Sequence, residues 1–489
     1  MMEIFSLFLL LVILFISFTI FFFFSKAYKT NPTNENLKLP PGSTGWPIIG
    51  ETFEYIKMVR KNCIENFISE RQKKYQSKIF KTSYIGQIMV FMCTPEGNKF
   101  LFSNDSKLVK PWYPKTFDKI FGQSDNTLSE SPEEIASIRK TVATFFSQPE
   151  ALRKNLGIIE EIAKEHLQKF WDGKEEVIAH PLLKNFTFTL SCRLLLNVRD
   201  LETIKELEKL FSCIMAGIIS LPVDFPGTKF NRAIRASKEI RKKFEVIIRK
   251  RKVEIMENVG KWEDSSKDFL TLFIVQKLKD NKEVIESELA VTILGNIVAA
   301  HDNSSTTLSS ILKYLAELPE VYEEVYREQM EVANSKGNEE ALSLEDVKKM
   351  SYSWNVASEA LRLQPTTAST FREAITDFNF DGYRIPKGWK LHRAVHATHK
   401  NSEYFPEPDK FDPSRFEGNK IVPYSYVPFG GGAHICPGRE YARLQILVFM
   451  HHLVKRFRWE KVFPDEQMIR NPILVPAKNL PIRLHHHLE

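Results

Sequence analysis

Residues Pro428-Phe429-Gly430-Gly431-Gly432-Ala433-His434-Ile435-Cys436-Pro437-Gly438 set four glycines and two prolines around one cysteine near the end of a 489-residue chain. Glycine enters backbone regions closed to other residues and proline pins φ, so the stretch is a shaped loop rather than a helix or strand. Such a backbone can approach a flat partner closely, and a thiolate there is a strong, soft ligand for iron. The other cysteines, Cys63, Cys93, Cys192 and Cys213, show no Cys-x-x-Cys spacing. A sparse, odd set argues against a disulfide framework and for a reducing compartment.

The N-terminus sets the topology. Residues 4–24 carry no charge, and only Ser6, Ser17 and Thr19 interrupt the apolar run. At about 1.5 Å per residue, a helix of that length crosses the ~30 Å hydrocarbon core. Glu3 precedes the run while Lys26 and Lys29 follow it, which predicts an uncleaved anchor over residues 1–29 with the rest of the chain on the cytosolic side. Residues 30–50 form a polar and then proline-rich hinge, including Leu39-Pro-Pro-Gly42. The glycosylation sequons at Asn104 and Asn185 would stay unused in that compartment. A net charge of +7 makes no case for nucleic acid, and 43% apolar residues are enough for a large core.

Beyond the hinge the pattern is mainly helical. Residues 229–252 hold eleven Lys and Arg, read as a solvated helical face, with attraction to anionic lipid or an acidic partner as the functional alternative. Just before them, Ala216 to Gly227 is an apolar loop broken by prolines and suited to dipping into a membrane. The proline-free run Glu288 to Leu318 predicts a long buried helix. Its centre carries seven consecutive polar residues, His301 to Thr307, which compete for backbone hydrogen bonds. Two readings remain open there: a polar patch satisfied by neighbours, or a local opening of the helix at a reaction site. Residues 379–391 alternate apolar and aromatic residues with glycine turns, a hairpin signal. The fold class is therefore mainly α with a smaller β region.

The spacing Phe429-x-x-Gly432-x-x-x-Cys436-x-Gly438 resembles the haem-thiolate loop of the cytochrome P450 family. Three further stretches match that family in order: Glu359-Ala-Leu-Arg362, Phe411-Asp-Pro-Ser-Arg415-Phe416, and Ala299-Ala-His-Asp302-Asn303-Ser304. With the anchor and hinge, the chain is similar over its length to plant microsomal members. Residues 99–109, 218–228, 352–363, 371–378 and 440–457 look closest to the triterpene (amyrin-type) oxidase group, which is related to taxane hydroxylases.

The resemblance implies the cytochrome P450 fold (α+β) in one haem-binding catalytic domain over residues 51–484, with residues 485–489 a candidate tag remnant. It implies haem b (iron protoporphyrin IX), with Cys436 as the iron ligand and Phe429 and Gly432 shaping the loop. Arg139, Arg372 and His434 are the implied partners of the haem propionates. Glu359, Arg362 and Arg415 are an implied structural triad. Asp302, Asn303 and Ser304 are the implied catalytic groups of the oxygen-binding helix, although the family's usual threonine is Asn303 here and its usual glycine is Ala300. Trp112, Ile297, Ala300, Thr367 and Ser369 are the expected substrate-pocket positions.

No flavin- or nicotinamide-binding motif is visible, so electrons are expected from a separate NADPH-cytochrome P450 reductase docking on basic residues such as Arg439 and Arg443. The expected location is the endoplasmic reticulum membrane, single-pass and facing the cytosol, with membrane lipid as a second partner. The expected reaction is monooxygenation of a small, rigid, apolar terpenoid, most of all a pentacyclic triterpene. A taxane-type diterpenoid substrate, or a reductase-independent haem-thiolate isomerase or dehydratase, are the alternatives.

Overall fold

Helices dominate because apolar residues recur at three- and four-residue spacing along strongly charged segments. Lys229–Glu257 shows the logic: Phe230, Ala233, Ile240, Phe244 and Ile248 are buried on one face, while most of its cations lie outside. Three of those cations are paired, Lys243 with Glu206 at 2.8 Å, Arg251 with Asp268 at 2.7 Å and Lys252 with Glu286 at 3.1 Å, and most of the others are exposed.

The computed structural model describes residues 37–487 apart from 48, 85, 123–131, 219, 258–267, 337–339, 368, 419 and 471–472, together with Leu14, Phe15 and Ser17. The expected anchor over residues 4–24 otherwise lies outside the described residues. Among the described residues no helix is long and apolar enough to cross a membrane. The chain divides into two compact units, residues 1–39 with Asn379–Arg384, and Pro40–Phe378 with Ile385–Glu489. In the smaller unit, Asp381 and Gly382 both take positive φ, the tight-turn geometry that the hairpin signal predicts.

In the larger unit, seven helices matter for the site: α1 (Pro95–Ser103), α2 (Pro132–Ser147), α3 (Ala179–Leu196), α4 (Lys229–Glu257), α5 (Glu286–Glu317), α6 (Ser351–Leu363) and α7 (Arg439–Val454). At 32 residues, α5 is about 48 Å long and runs through the main core, packed by α3 and α4. A five-stranded sheet stands beside the helices: β1 (Ile79–Tyr84), β2 (Gln87–Met92), β3 (Val109–Pro111), β4 (Ser369–Ala374) and β5 (Lys390–Ala394), in the order β1-β2-β5-β4-β3.

Register sorts the sheet's side chains. Thr370 lies opposite Arg393, and Arg372 opposite Leu391, so Thr370, Arg372 and Arg393 share one face. Phe371 and His392 face the other way, into a second core with Tyr55, Phe67, Tyr84 and Phe91. The His392 ring bonds the Tyr84 hydroxyl at 2.5 Å, and burial pushes His392 down to about 3.

The polar run of α5 does not open the helix. The helix is continuous through it, and hydroxyls in and just beyond the run bond back to the preceding turn: Thr307 to the Asn303 carbonyl at 2.8 Å, Ser309 to Ser305 at 2.8 Å, and Ser310 to Thr306 at 3.0 Å. Thr306 donates instead across to the Leu474 carbonyl at 2.9 Å.

Candidate active site

The glycine loop closes on itself before α7 begins. The Cys436 amide donates to the Phe429 carbonyl at 2.8 Å, and the Ile435 amide donates to Gly432 at 3.1 Å. Two of its glycines are required by close approach. A Cβ on Gly431 would lie 2.6 Å from the Phe102 ring, and one on Gly432, at φ +63°, would lie 2.4 Å from the Phe102 carbonyl oxygen. The end of α1 is thus pressed against the loop.

Cys436 stands two residues before Gly438, the N-cap of α7, and its sulfur accepts from the Gly438 N–H there. Cys436 is accessible through the adjoining cavity, yet burial raises its thiol pKa. The Gly438 N–H and the charges of Arg139 and Arg439 oppose that rise. Phe429 lies beneath Trp354 of α6, with ring centroids 6.5 Å apart and 19° between planes.

The cavity above the loop measures about 270 Å³ and is lined from three sides. The loop contributes Phe429, Gly431, His434 and Cys436; α5 contributes Asn296, Ala299, Ala300, Asn303, Ser304 and Thr307; the sheet and its approach contribute Thr366, Thr367, Thr370, Arg372 and Arg393. Positions 296, 299, 300, 303, 304 and 307 repeat every three to four residues, so they form one helix face.

The same periodicity places Asp302 elsewhere. It turns toward α3, where Lys184 Nζ lies 3.1 Å from its Oδ1, and it is not among the lining residues. His301 Nε2 is 3.5 Å from that oxygen, while His301 Nδ1 bonds the Thr187 hydroxyl at 2.7 Å. Burial holds His301 well below its ordinary pKa. Asn303 does face the cavity, its Nδ2 donating to the Ala299 carbonyl at 3.1 Å.

Of the expected pocket residues, Ala300 and Thr367 line the cavity and two others do not. Ile297 is one helical step past Asn296, which turns it into the core, fully buried. Trp112 packs edge-on to Phe371 at 5.8 Å, with Lys390 over its ring, on the other side of the sheet. Ser369 begins β4, but its side chain lies outside the described residues.

The expected propionate partners form a charged wall. Arg372 Nη2 lies 3.1 Å from Asp105 Oδ2, and His434 Nε2 lies 3.5 Å from the same oxygen. The Arg372 Nε and the Asp105 Oδ1 are buried without a hydrogen-bond partner. Arg139 reaches the loop itself, donating to the Ala433 and Ile435 carbonyls at 3.1 and 3.2 Å. Sequence reasoning missed Arg393, which lines the same wall. Its one signal is a cation within the buried strand run Leu391-His392-Arg393-Ala394.

Behind the loop, Glu359 and Arg362 are fully buried and doubly bonded, at 2.7 and 2.8 Å. Arg415 Nε lies 3.3 Å from Glu359 Oε1, and the Asp412 amide donates to that oxygen at 3.0 Å. Arg362 also donates to the carbonyls of His399, Pro408 and Lys410, tying α6 to the segment that leads into the loop. A soft sulfur at the edge of a cavity and a wall of two arginines, one of them with an unmet donor, fit an iron porphyrin bearing two carboxylates.

The chain is 53% identical over 457 residues, 94% of each chain, to luvungin A synthase of Citrus sinensis. It is 48% identical to a beta-amyrin 28-monooxygenase of Kalopanax septemlobus, covering 99% of this chain and 98% of that one, and 47% identical to a protein of that name from Vitis vinifera, covering 99% and 100%. A retinoic-acid-bound cyanobacterial structure, CYP120A1, superposes with a TM-score of 0.80 at 30% identity, covering 92% of this chain and 100% of that one. The family model described as Cytochrome P450 matches residues 40–484, and the chain belongs to the cytochrome P450 family.

Proposed function

We propose that the protein is a membrane-anchored monooxygenase that hydroxylates an unactivated C–H bond of a pentacyclic triterpene. The observation that carries this reading is identity of 47–48% across nearly the whole chain with two relatives named beta-amyrin 28-monooxygenase. Haem held by a thiolate supplies activation of O2, one oxygen atom entering the substrate and the other leaving as water, with two electrons from NADPH through a reductase.

In this reading Cys436 holds the iron, with the Gly438 N–H and the start of α7 favouring its thiolate. Phe429 and Trp354 cover the loop from behind. The cavity face of α5 and the apolar Val142, Phe146, Leu361 and Ile446 receive the rigid substrate, while Thr366, Thr367 and Thr370 offer it hydroxyls. Asn303, through its amide, can hold water in the cavity, and Asp302 with Lys184 forms a charged pair one helical step from that face. Glu359, Arg362 and Arg415 brace the loop.

The segment over residues 1–29 is assigned as the anchor, placing the catalytic body on the cytosolic side of the endoplasmic reticulum. Arg443, whose guanidinium lies 5.5 Å from the Trp354 ring, and Arg439 offer positive charge to an acidic reductase surface. The test is co-expression with a plant reductase in yeast making beta-amyrin or a related scaffold, with products read by mass spectrometry. Oxygenated triterpenes that require both NADPH and Cys436 support the reading; no product from any pentacyclic scaffold, or turnover without NADPH, overturns it.

A further inference from the structure

Arg393 is the cation of the cavity wall that the family-level reading leaves unused. It is 3% exposed, on the sheet face it shares with Arg372. Its Nε donates to the Thr370 hydroxyl at 3.0 Å and its Nη1 to the Val427 carbonyl at 3.0 Å, and its guanidinium sits 5.6 Å from the centre of the Phe102 ring. All of these partners are neutral, and among the described residues no carboxylate pairs with it. Asp105, the acid of this wall, is already shared between Arg372 and His434. A buried guanidinium without an anion, close to a second one, is costly, and burial together with the Arg372 charge holds Arg393 down to about 10.

The missing charge has an identifiable source. Val427 lies two residues before Phe429 and Phe102 lies against Gly431, so Arg393 is anchored to the loop side of the cavity and not to the α5 side where a substrate would meet Asn303. We infer that Arg393 binds a haem propionate directly and is the cation of this wall on which haem retention chiefly depends, Arg372 and His434 being committed to Asp105. This rests on haem binding, as the family requires, and not on the identity of the substrate.

The test measures haem transfer from substrate-free holoprotein to apomyoglobin, with native haem and with haem dimethyl ester, whose propionates carry no charge. Arg393→Gln is expected to lose native haem about tenfold faster than the parent, the size of one charge-assisted hydrogen bond. With the dimethyl ester the two proteins should lose cofactor at the same rate. Arg393→Lys, which keeps the charge, should fall between them and decides the matter by the same cycle if Arg393→Gln does not fold. Equal rates with native haem overturn the assignment, as does a difference that persists undiminished with the dimethyl ester, which marks a purely structural arginine. A tenfold loss of spectral affinity for a carboxylated triterpene with haem loss unchanged would also overturn it, by giving Arg393 to the substrate. Because no substrate is present in the haem-loss arm, failure of the triterpene assay leaves this result readable.

Discussion

Single atoms decide the behaviour of the loop. A methyl group on Gly431 would stand 2.6 Å from an aromatic ring, but one on Gly432 would meet a backbone oxygen at 2.4 Å and strain φ as well. Gly432→Ala is therefore expected to cost more than Gly431→Ala, where the Phe102 ring can shift, with the latter near the 1–3 kcal/mol typical of overpacking. Thermal unfolding of the two holoproteins, followed by circular dichroism, checks the order. Cys436→Ser should abolish the red-shifted Soret band of the reduced carbon monoxide complex and all turnover, while leaving the far-ultraviolet spectrum in place. Asn303→Thr places a hydroxyl where an amide now bonds the Ala299 carbonyl. More oxygenated product per NADPH consumed is expected, and unchanged coupling would show that Asn303 has no particular role in proton supply.

At the scale of elements, the brace between α6 and the loop is the costliest to break. Glu359 is fully buried and takes charge from two arginines, so Glu359→Gln leaves those cations uncompensated and should cost about 3–5 kcal/mol, read as loss of haem-loaded protein. The apolar turn before α4 makes a different kind of prediction. Leu221 and Phe225 are 80% and 66% exposed, a large apolar surface to leave in water. Leu221→Asp with Phe225→Asp, in protein lacking residues 1–29, should reduce co-sedimentation with anionic lipid vesicles several-fold without altering the carbon monoxide spectrum. Equal sedimentation would remove this turn from the membrane contact.

The whole molecule carries its buried histidines neutral. Burial pushes His166, His392 and His399 down to about 3 and His180 to about 4, against an ordinary value near 6.5. With the folded pKa depressed, the unfolded chain binds more protons below pH 6.5, so stability is present above that pH and is lost as pH falls toward 3. Each such histidine removes up to about 1.4 kcal/mol per pH unit in that window. The melting temperature of protein lacking residues 1–29 should therefore drop steeply between pH 6.5 and 5, before carboxylates such as Glu160, held near 2, begin to titrate.

Much of this was legible beforehand because the chemistry is local in the chain. Loop residues 429–438, the Glu359–Arg362 pair one helical turn apart, and the long proline-free helix all rest on spacings of a few residues, and backbone geometry converts such spacings into shape without help from the rest of the fold. What a spacing cannot say is which way a side chain points once helices and sheet pack. Asp302 and Asn303 are adjacent in sequence, yet a 100° turn of α5 sends one toward Lys184 and the other toward the cavity. Trp112 and Ile297 look like pocket residues by position but are turned into packing. Arg393 gained its place from strand register, 23 residues from Thr370 in sequence and opposite it in the sheet. The amino-acid order by itself determined the cysteine loop, its brace and the family; the tertiary structure alone decided which charges face the cofactor, because that depends on long-range pairing across the molecule.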